Sequence, residues 1–325
     1  MSADVLVLLD HGGDGVLRAP ARELLTLARE LGPPAAVWLA APGESGPSEQ
    51  VLEELGGYAV TTVHLVTPDA DPHLTPVVAE ALASLVGPQT RAVLLTSSFE
   101  HKEVAARLGV LTGAGVMVDV SSLDTSGERP VATKQVFAAT WTTRCAVRTP
   151  LAVLAVKPNA VAAGRAEHRT RPELETHDLT VSASARAVEL VERTLRPASG
   201  RPDLGAAQVV VVGGRGTDGD FSLLEELADV LGGAVGATRV ATDEGWIDRD
   251  AQIGQTGVTV APRLYIGCGV SGAVHHRGGM QASGTIVAIN NDADAPIFEI
   301  ADLGIVGDLR EVLPQAIGEL RILIC

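Results

Sequence analysis

The stretch from Arg263 to Asn290, RLYIGCGVSGAVHHRGGMQASGTIVAIN, holds the chain's densest set of residues able to do chemistry. Leu264-Tyr265-Ile266 reads as a strand, and Gly267, Gly269 and Gly272 follow it as G-x-G-x-x-G. Glycines in that place let a backbone turn tightly and approach a pyrophosphate, and the N–H groups that open the next helix favour an anion. A second match, Gly214, Gly216 and Gly219, follows the strand-like run Gln208–Val212. Two such turns behind two strands of one region point to a nucleotide site more firmly than either alone. Arg215 lies inside the earlier turn, where a guanidinium can clamp a pyrophosphate with two parallel hydrogen bonds.

The spacing also bears on which nucleotide. A nicotinamide fingerprint needs an acidic residue about 20 positions beyond its glycines, to hold the ribose hydroxyls. After the earlier turn that region is Ala237-Thr238-Arg239, without an acid; after the later one it is Asn290-Asn291-Asp292, which leaves the matter open. Neither turn brings an acid/base pair for hydride transfer, so the pattern points to a tightly held redox cofactor. A nicotinamide-dependent dehydrogenase and a non-enzymatic nucleotide-sensing or scaffold protein stand as alternatives.

His275 and His276 are adjacent, so on a helix they point about 100° apart and do not chelate one ion. No HExxH or Cys/His spacing suggests a metal site elsewhere. Cys145, Cys268 and Cys325 show no CxxC, and their odd number argues against a disulfide framework. Cys268, between two glycines, reads as a small buried residue and not a redox thiol.

The elements that must position these residues alternate. Val5–Leu9, Ala35–Ala40, Thr62–Val66 and Ala92–Thr96 are short strand-like runs, separated by helical patterns at Arg18–Leu31, Ser48–Leu55, Leu74–Leu85 and Glu100–Leu108. That rhythm predicts an N-terminal, mainly parallel α/β domain over 1–195. From Val116 to Val156 the runs VMVDV, VATKQVFAATWTTRCAV and LAVLAV read as added strands completing its sheet, in part antiparallel. Lys157–His177 lacks apolar period and reads as a solvated excursion, and Val181–Arg196 as a strand and a short helix. The Pro/Gly-rich segment over 196–204 is the expected linker. Residues 205–325 then form a C-terminal doubly wound domain, with Phe221–Leu231 as its first helix behind Asp220 as N-cap. Asp308 and Glu311 have the D-x-x-E spacing of a capping box.

Composition agrees with buried parallel strands: 46% of residues are hydrophobic but only 3% aromatic, and 35 are glycine. A net charge of −15 argues against binding to a nucleic-acid backbone. No run is long enough to span a membrane, and the N-terminus lacks a basic region and signal-length apolar run, so the cytoplasm is the expected location.

The same residues resemble a known family. LYIGCGVSGAVHHRGGMQASGTIVAIN is similar to the signature of the electron transfer flavoprotein alpha subunits. Gly213–Gly216 (GGRG), Val235–Arg239 (VGATR), Ile253–Gly257 (IGQTG) and Ala295–Leu309 (APIFEIADLGIVGDL) accompany it in order. The resemblance is dense from Val209 to Pro314 and collinear but looser before that. Two positions depart from the pattern: Gly267 replaces the usual Ala or Thr, and His275 replaces a Gln, which puts that side chain's contact in doubt.

The resemblance implies a heterodimer with a beta subunit that carries AMP, the N-terminal domain here packing against that partner. It implies one FAD, held mainly by the C-terminal domain, and an electron carrier with no classical catalytic set of its own. Electrons would arrive from acyl-CoA and related dehydrogenases, as in fatty acid β-oxidation, and leave to a membrane quinone oxidoreductase. A bifurcating relative with a second FAD in its partner is the narrower alternative. Arg239 resembles an arginine beside the isoalloxazine ring, where a fixed charge favours added electron density. Thr238, Gln252, Gly254, Gln255 and Thr256 match positions around the phosphates and the ring edge. Ser271, Gly272, Ala273 and Val274 match the phosphate turn, His275 is a cofactor-site candidate with no contact assigned to it, and His276 matches a donor near flavin O2. Asn290, Asp308 and Leu309 match positions near the adenosine half, although capping alone explains Asp308.

Overall fold

In the computed structural model, residues 4–12, 15–127, 129–137, 139–192 and 200–324 are described. The chain divides into two compact units, Met1–Lys134 with Thr143–Leu195, and Gln135–Thr142 with Arg196–Cys325.

The first unit runs β1 (Val5–Leu8), α1 (Ala19–Leu31), β2 (Pro34–Leu39), α2 (Glu49–Gly56), β3 (Thr62–Pro68), α3 (Thr75–Leu85), β4 (Ala92–Thr96) and α4 (Phe99–Thr112). It continues with β5 (Gly115–Asp124), β6 (Val131–Val136) and β7 (Trp141–Ala146), whose facing ends over 135–142 are grouped with the second unit, then β8 (Ala152–Val156), β9 (Glu173–Leu179) and α5 (Ala183–Arg186). Among the described residues these strands form one nine-stranded sheet, ordered β7-β6-β5-β8-β4-β1-β2-β3-β9. Across β5-β8-β4-β1-β2-β3-β9 each neighbouring pair is parallel, whereas β5 and β6 pair antiparallel. The central strands β1, β4 and β8 are buried along their whole length, which is why they read as unbroken apolar runs. Separate cores cover the two faces, one built on Leu24, Leu25 and Trp38, the other on Val78, Leu82 and Leu108.

Three expectations change here. LAVLAV does not extend the sheet: as β8 it enters the middle, parallel to both β4 and β5. The polar stretch before His177 is not wholly a solvated excursion. Glu173–Leu179 pairs in parallel with β3 along seven residues. Its side chains are mostly exposed, so backbone hydrogen bonding rather than apolar period defines this edge strand. From Val181 to residue 192 the described residues hold only the short helix α5 and no strand. Residues 193–199, including part of the expected linker, lie outside the described residues.

The second unit runs β10 (Val209–Gly213), α6 (Ser222–Leu231), β11 (Ala234–Ala237), α7 (Arg239–Asp243), β12 (Leu264–Cys268), α8 (Val274–Met280), β13 (Thr285–Asn290), β14 (Leu303–Val306) and α9 (Leu309–Ile324). Its five strands are all parallel and ordered β11-β10-β12-β13-β14. From β10 the chain first winds to β11 on one side and then crosses to β12 on the other. The loops after β10 and β12 therefore leave in opposite directions, and a doubly wound sheet binds its ligand at such a point. Apolar clusters on both faces, one around Tyr265, Ile253 and Ile297 and one around Leu224, Leu227 and Leu313, fix this sheet. Asp220 lies one residue before the N-cap of α6, where its Oδ1 accepts from the Ser222 amide at 3.0 Å.

Candidate functional site

The expected site residues come at or after the carboxyl ends of the five strands along the chain. A chain of backbone hydrogen bonds stitches those ends together. Ile253 N–H donates to Ala237 O, Thr238 N–H to Gly213 O, Gly214 N–H to Cys268 O and Gly216 N–H to Gly269 O, at 2.9 to 3.1 Å. Gly269 N–H then reaches Ile289 O at 2.8 Å, and Gly307 N–H reaches Asn290 O at 3.0 Å.

The glycines of the two fingerprints serve first to let the turns touch. A Cβ on Gly214 would lie 2.3 Å from Gly269 O, and one on Gly269 would lie 2.6 Å from Gly216 Cα. Gly269 also has φ +63, where an L side chain is strained. Sequence spacing alone could not reveal this mutual packing at the switch point.

Beyond it, the turn from Ser271 to His275 offers backbone N–H groups. Among the described residues none of these five donates to the protein; the first donors after them are His276 and Arg277, both to Ala273 O. Ser271, Ala273, Val274 and His275 are exposed, while Gly272 is buried at φ +80 against Ile297. A run of unpaired amides is a general anion-binding device.

The side chains divide into two sets. Arg215 is exposed and its guanidinium has no partner among the described residues. Thr238 Oγ1 is buried without a hydrogen-bond partner, although its residue is the N-cap of α7. A buried, orphaned hydroxyl costs about 1–3 kcal/mol, so its presence calls for a ligand. Arg239 is exposed and pairs with Asp243 one helical turn on, Nε to Oδ2 at 3.1 Å, the surface ion pair that its position alone suggests.

The second set is committed to the protein. Gln252 is buried, its Oε1 accepting from Thr242 Oγ1 at 3.0 Å and its Nε2 donating to Thr256 Oγ1 at 2.9 Å. Asn290 is buried, donating to Val270 O at 3.0 Å and accepting from Asp292 N–H at 3.0 Å, so it ties β13 to the turn after β12. Asp308 caps α9 by accepting from the Arg310 amide at 2.8 Å, and Leu309 belongs to the core.

His276 is buried, with Nδ1 3.1 Å from Ile253 O and Nε2 2.7 Å from the Tyr265 hydroxyl. Because a carbonyl only accepts, Nδ1 carries the proton and Nε2 accepts from Tyr265. Burial drives the imidazole pKa down to about 4, so it is neutral near pH 7. A hydrogen bond from this ring to a flavin would require one of those two partners to be given up. Gly267 belongs to the same arrangement: a Cβ there would meet the Tyr265 ring at 3.0 Å. Its departure from the usual Ala or Thr therefore concerns the tyrosine that holds His276.

His275, the other departure, is exposed and lies with Nδ1 3.0 Å from Gln255 Oε1. The Gln252–Gly257 loop and α8 meet at very short range, a Cβ on Gly279 lying 2.5 Å from Gly254 Cα. Gly254, Gln255 and Thr256 are thus positioned by the helix that follows the phosphate-type turn. Cys268 is buried and burial pushes its thiol up to about 12, so it stays protonated.

A five-stranded parallel sheet with glycine turns, unpaired amides and a free arginine at its switch point defines a nucleotide-binding α/β protein of the doubly wound class. The comparisons carry this further. The family described as "Electron transfer flavoprotein FAD-binding domain" matches residues 203–281, and "Electron transfer flavoprotein domain" matches residues 5–182. The electron transfer flavoprotein subunit alpha of Mycobacterium leprae (strain TN) is 42% identical over 318 residues, covering 96% of each chain. That of Syntrophomonas wolfei is 32% identical over 312 residues, 95% of this chain and 96% of the relative. The mitochondrial subunit alpha of Arabidopsis thaliana is 56% identical over 122 residues, 37% of this chain and 34% of its own. The chain belongs to the electron transfer flavoprotein alpha-subunit family.

Proposed function

We propose that the chain is the FAD-holding half of a heterodimeric electron carrier, paired in the cytoplasm with a beta subunit that binds AMP. The single observation that supports the cofactor most is the orphaned Thr238 hydroxyl, buried at the edge that also carries the amides of Ser271 to His275 and the unpartnered Arg215. When bound, FAD supplies the one-electron and two-electron chemistry that no side chain here provides.

The chain's own residues bind and tune. The amides of Ser271, Gly272, Ala273, Val274 and His275, with Arg215, hold the pyrophosphate. Thr238, Gln255 and Thr256 supply polar contacts, the last two fixed by His275 and Gln252. Arg239 brings positive charge to the ring, its ion pair with Asp243 being exposed and easily exchanged. Gly254, His276, Asn290, Asp308 and Leu309 shape the walls on which these contacts depend. We take acyl-CoA and related dehydrogenases as the electron donors, with β-oxidation as the setting, and a membrane quinone oxidoreductase as the acceptor. Among the described residues no helix is long and apolar enough to cross a membrane, so the acceptor would be met from outside the bilayer.

The test is to purify the chain with its partner subunit and measure flavin content, then add an acyl-CoA dehydrogenase with its substrate. One FAD per heterodimer, bleached within the mixing time, is expected; two would indicate the bifurcating type. A colourless complex that binds NADH would overturn the reading.

A further inference from the structure

A second constellation of ligand-type side chains lies in the first unit, far from the edge just described in sequence. His64 on β3 and Glu175 on β9 are direct partners in the parallel register, and His177 stands two residues beyond Glu175. Partners in register, and residues two apart on a strand, share a face of the sheet. The fold therefore brings together three groups whose positions span more than a hundred residues.

Their ligand atoms form a closed triangle. His64 Nδ1 lies 3.1 Å from His177 Nε2 and 3.2 Å from Glu175 Oε2, and His177 Nε2 lies 3.7 Å from the same oxygen. A single shared proton can satisfy one side of such a triangle, and leaves the remaining lone pairs facing one another. A cation at the centre satisfies all three. Zinc takes nitrogen and carboxylate ligands at about 2.0–2.2 Å in tetrahedral geometry, which sets neighbouring ligand atoms about 3.4 Å apart. The three observed sides bracket that value.

The surroundings suit an ion. His64 is the most buried of the three, its side chain 16% exposed, while Glu175 and His177 are 47% and 35% exposed. The triangle thus has a protein side and a solvent side, the second leaving room for water as a fourth ligand. Asp4 adds a further negative charge within electrostatic reach of His64.

We propose that His64, Glu175 and His177 form a binding site for a divalent transition ion of the zinc class. The ion would clasp the edge strand β9 to β3. β9 buries little of its own surface, and its attachment rests on backbone pairing. Two imidazoles and one carboxylate suit zinc better than calcium or magnesium, which favour oxygen-only sets. The site is independent of the flavin reading.

The test uses the full-length chain, stripped with a chelator and titrated with Zn2+ in competition with a chromophoric chelator, and separately with Co2+. We expect one Zn2+ per chain and the intense visible bands of tetrahedral Co2+. His177→Gln and Glu175→Gln, both at partly exposed positions, should fold normally by circular dichroism. His177→Gln should weaken Zn2+ by at least about 100-fold and abolish the Co2+ bands, Glu175→Gln by about 10-fold. His168→Gln, at an exposed histidine outside the triangle, should change nothing. Wild-type protein that fails to compete for Zn2+, or a His177→Gln variant that binds as the wild type does, would overturn the proposal.

Discussion

The two units present the same structural feature, the carboxyl edge of a parallel sheet, and finish it in opposite ways. In the first unit, among the described residues, side chains tie together the turns that follow β1 and β4. Asp10 accepts from Thr96 Oγ1 and lies 3.8 Å from His101; Asp119 accepts from Ser97 Oγ at 3.0 Å and pairs with Lys102 at 2.8 Å. In the second unit the edge is glycine, unpaired amide, an orphaned hydroxyl and a free guanidinium. An edge whose polar groups are satisfied has little to offer a ligand. One whose donors are left over is incomplete without it.

The largest expected effect comes from the glycine contact. Gly269→Ala places a Cβ against Gly216 and forces alanine to φ +63, and should cost about 3 kcal/mol or more, with loss of flavin. Gly87→Ala in the first unit meets nothing within 4 Å and should stay within about 0.5 kcal/mol. Denaturation midpoints of the two variants check the contrast; equal midpoints would break it.

The next effect is on pH. His276 titrates at about 4 in the fold against 6.5 when free, so on acidification the unfolded chain takes the proton first. Its contribution is therefore complete above pH 6.5 and is lost as pH falls towards 4, up to about 3 kcal/mol. For Asp119, burial raises the pKa, but the hydrogen bond and charge of Lys102 outweigh it and hold the carboxyl below its usual 3.8. That contribution is present above 3.8 and is lost only as pH falls below it. Half-buried His64 adds a loss of the same sign as His276, so the discriminating sample is His276→Gln. Its stability should fall less between pH 7 and 5 than that of the wild type; an unchanged difference would remove His276 from the account.

Smaller still is the loss of a charge. Arg215→Ala should weaken FAD by about 10-fold to 100-fold and leave the flavin-free midpoint unchanged, because the guanidinium has no partner among the described residues. Lys102→Ala should do the reverse, costing about 1 kcal/mol of stability at this partly exposed pair while leaving flavin affinity alone. The smallest effect has opposite signs in two states. Thr238→Val removes the orphaned hydroxyl, so it should stabilise the flavin-free protein by about 1 kcal/mol yet weaken FAD several-fold. A variant destabilised in both states would show that the hydroxyl is satisfied within the fold.

Much of this was legible in the chain. The alternation of apolar runs and helical patterns predicted both sheets, because strands buried on two faces must be continuously apolar: β1, β4 and β8 are VLVL, AVLLT and AVLAV. The glycine spacing placed the turns after β10 and β12. What the spacing could not show was the partner of each group. Gln252 and Asn290 look like free amides in sequence, and only the folded loops reveal that Thr242, Thr256 and Val270 engage them. Tyr265 was missed as the residue that holds His276, since its hydroxyl lies on the strand and its partner on the helix after the turn. β9 was missed for a related reason. ELETHDL has no apolar period, and its pairing with β3 crosses more than a hundred residues.

The contrast between the two edges can be measured in one experiment. Amide hydrogen exchange of the purified protein, compared with and without FAD, reports on each edge separately. The unpaired N–H groups from Ser271 to His275 should exchange fast in the flavin-free protein and become strongly protected on adding FAD, while Ser97, Ser98 and Asp119 on the first edge stay unchanged. Protection that arises at the first edge instead, or an absence of change between Ser271 and His275, would contradict the account.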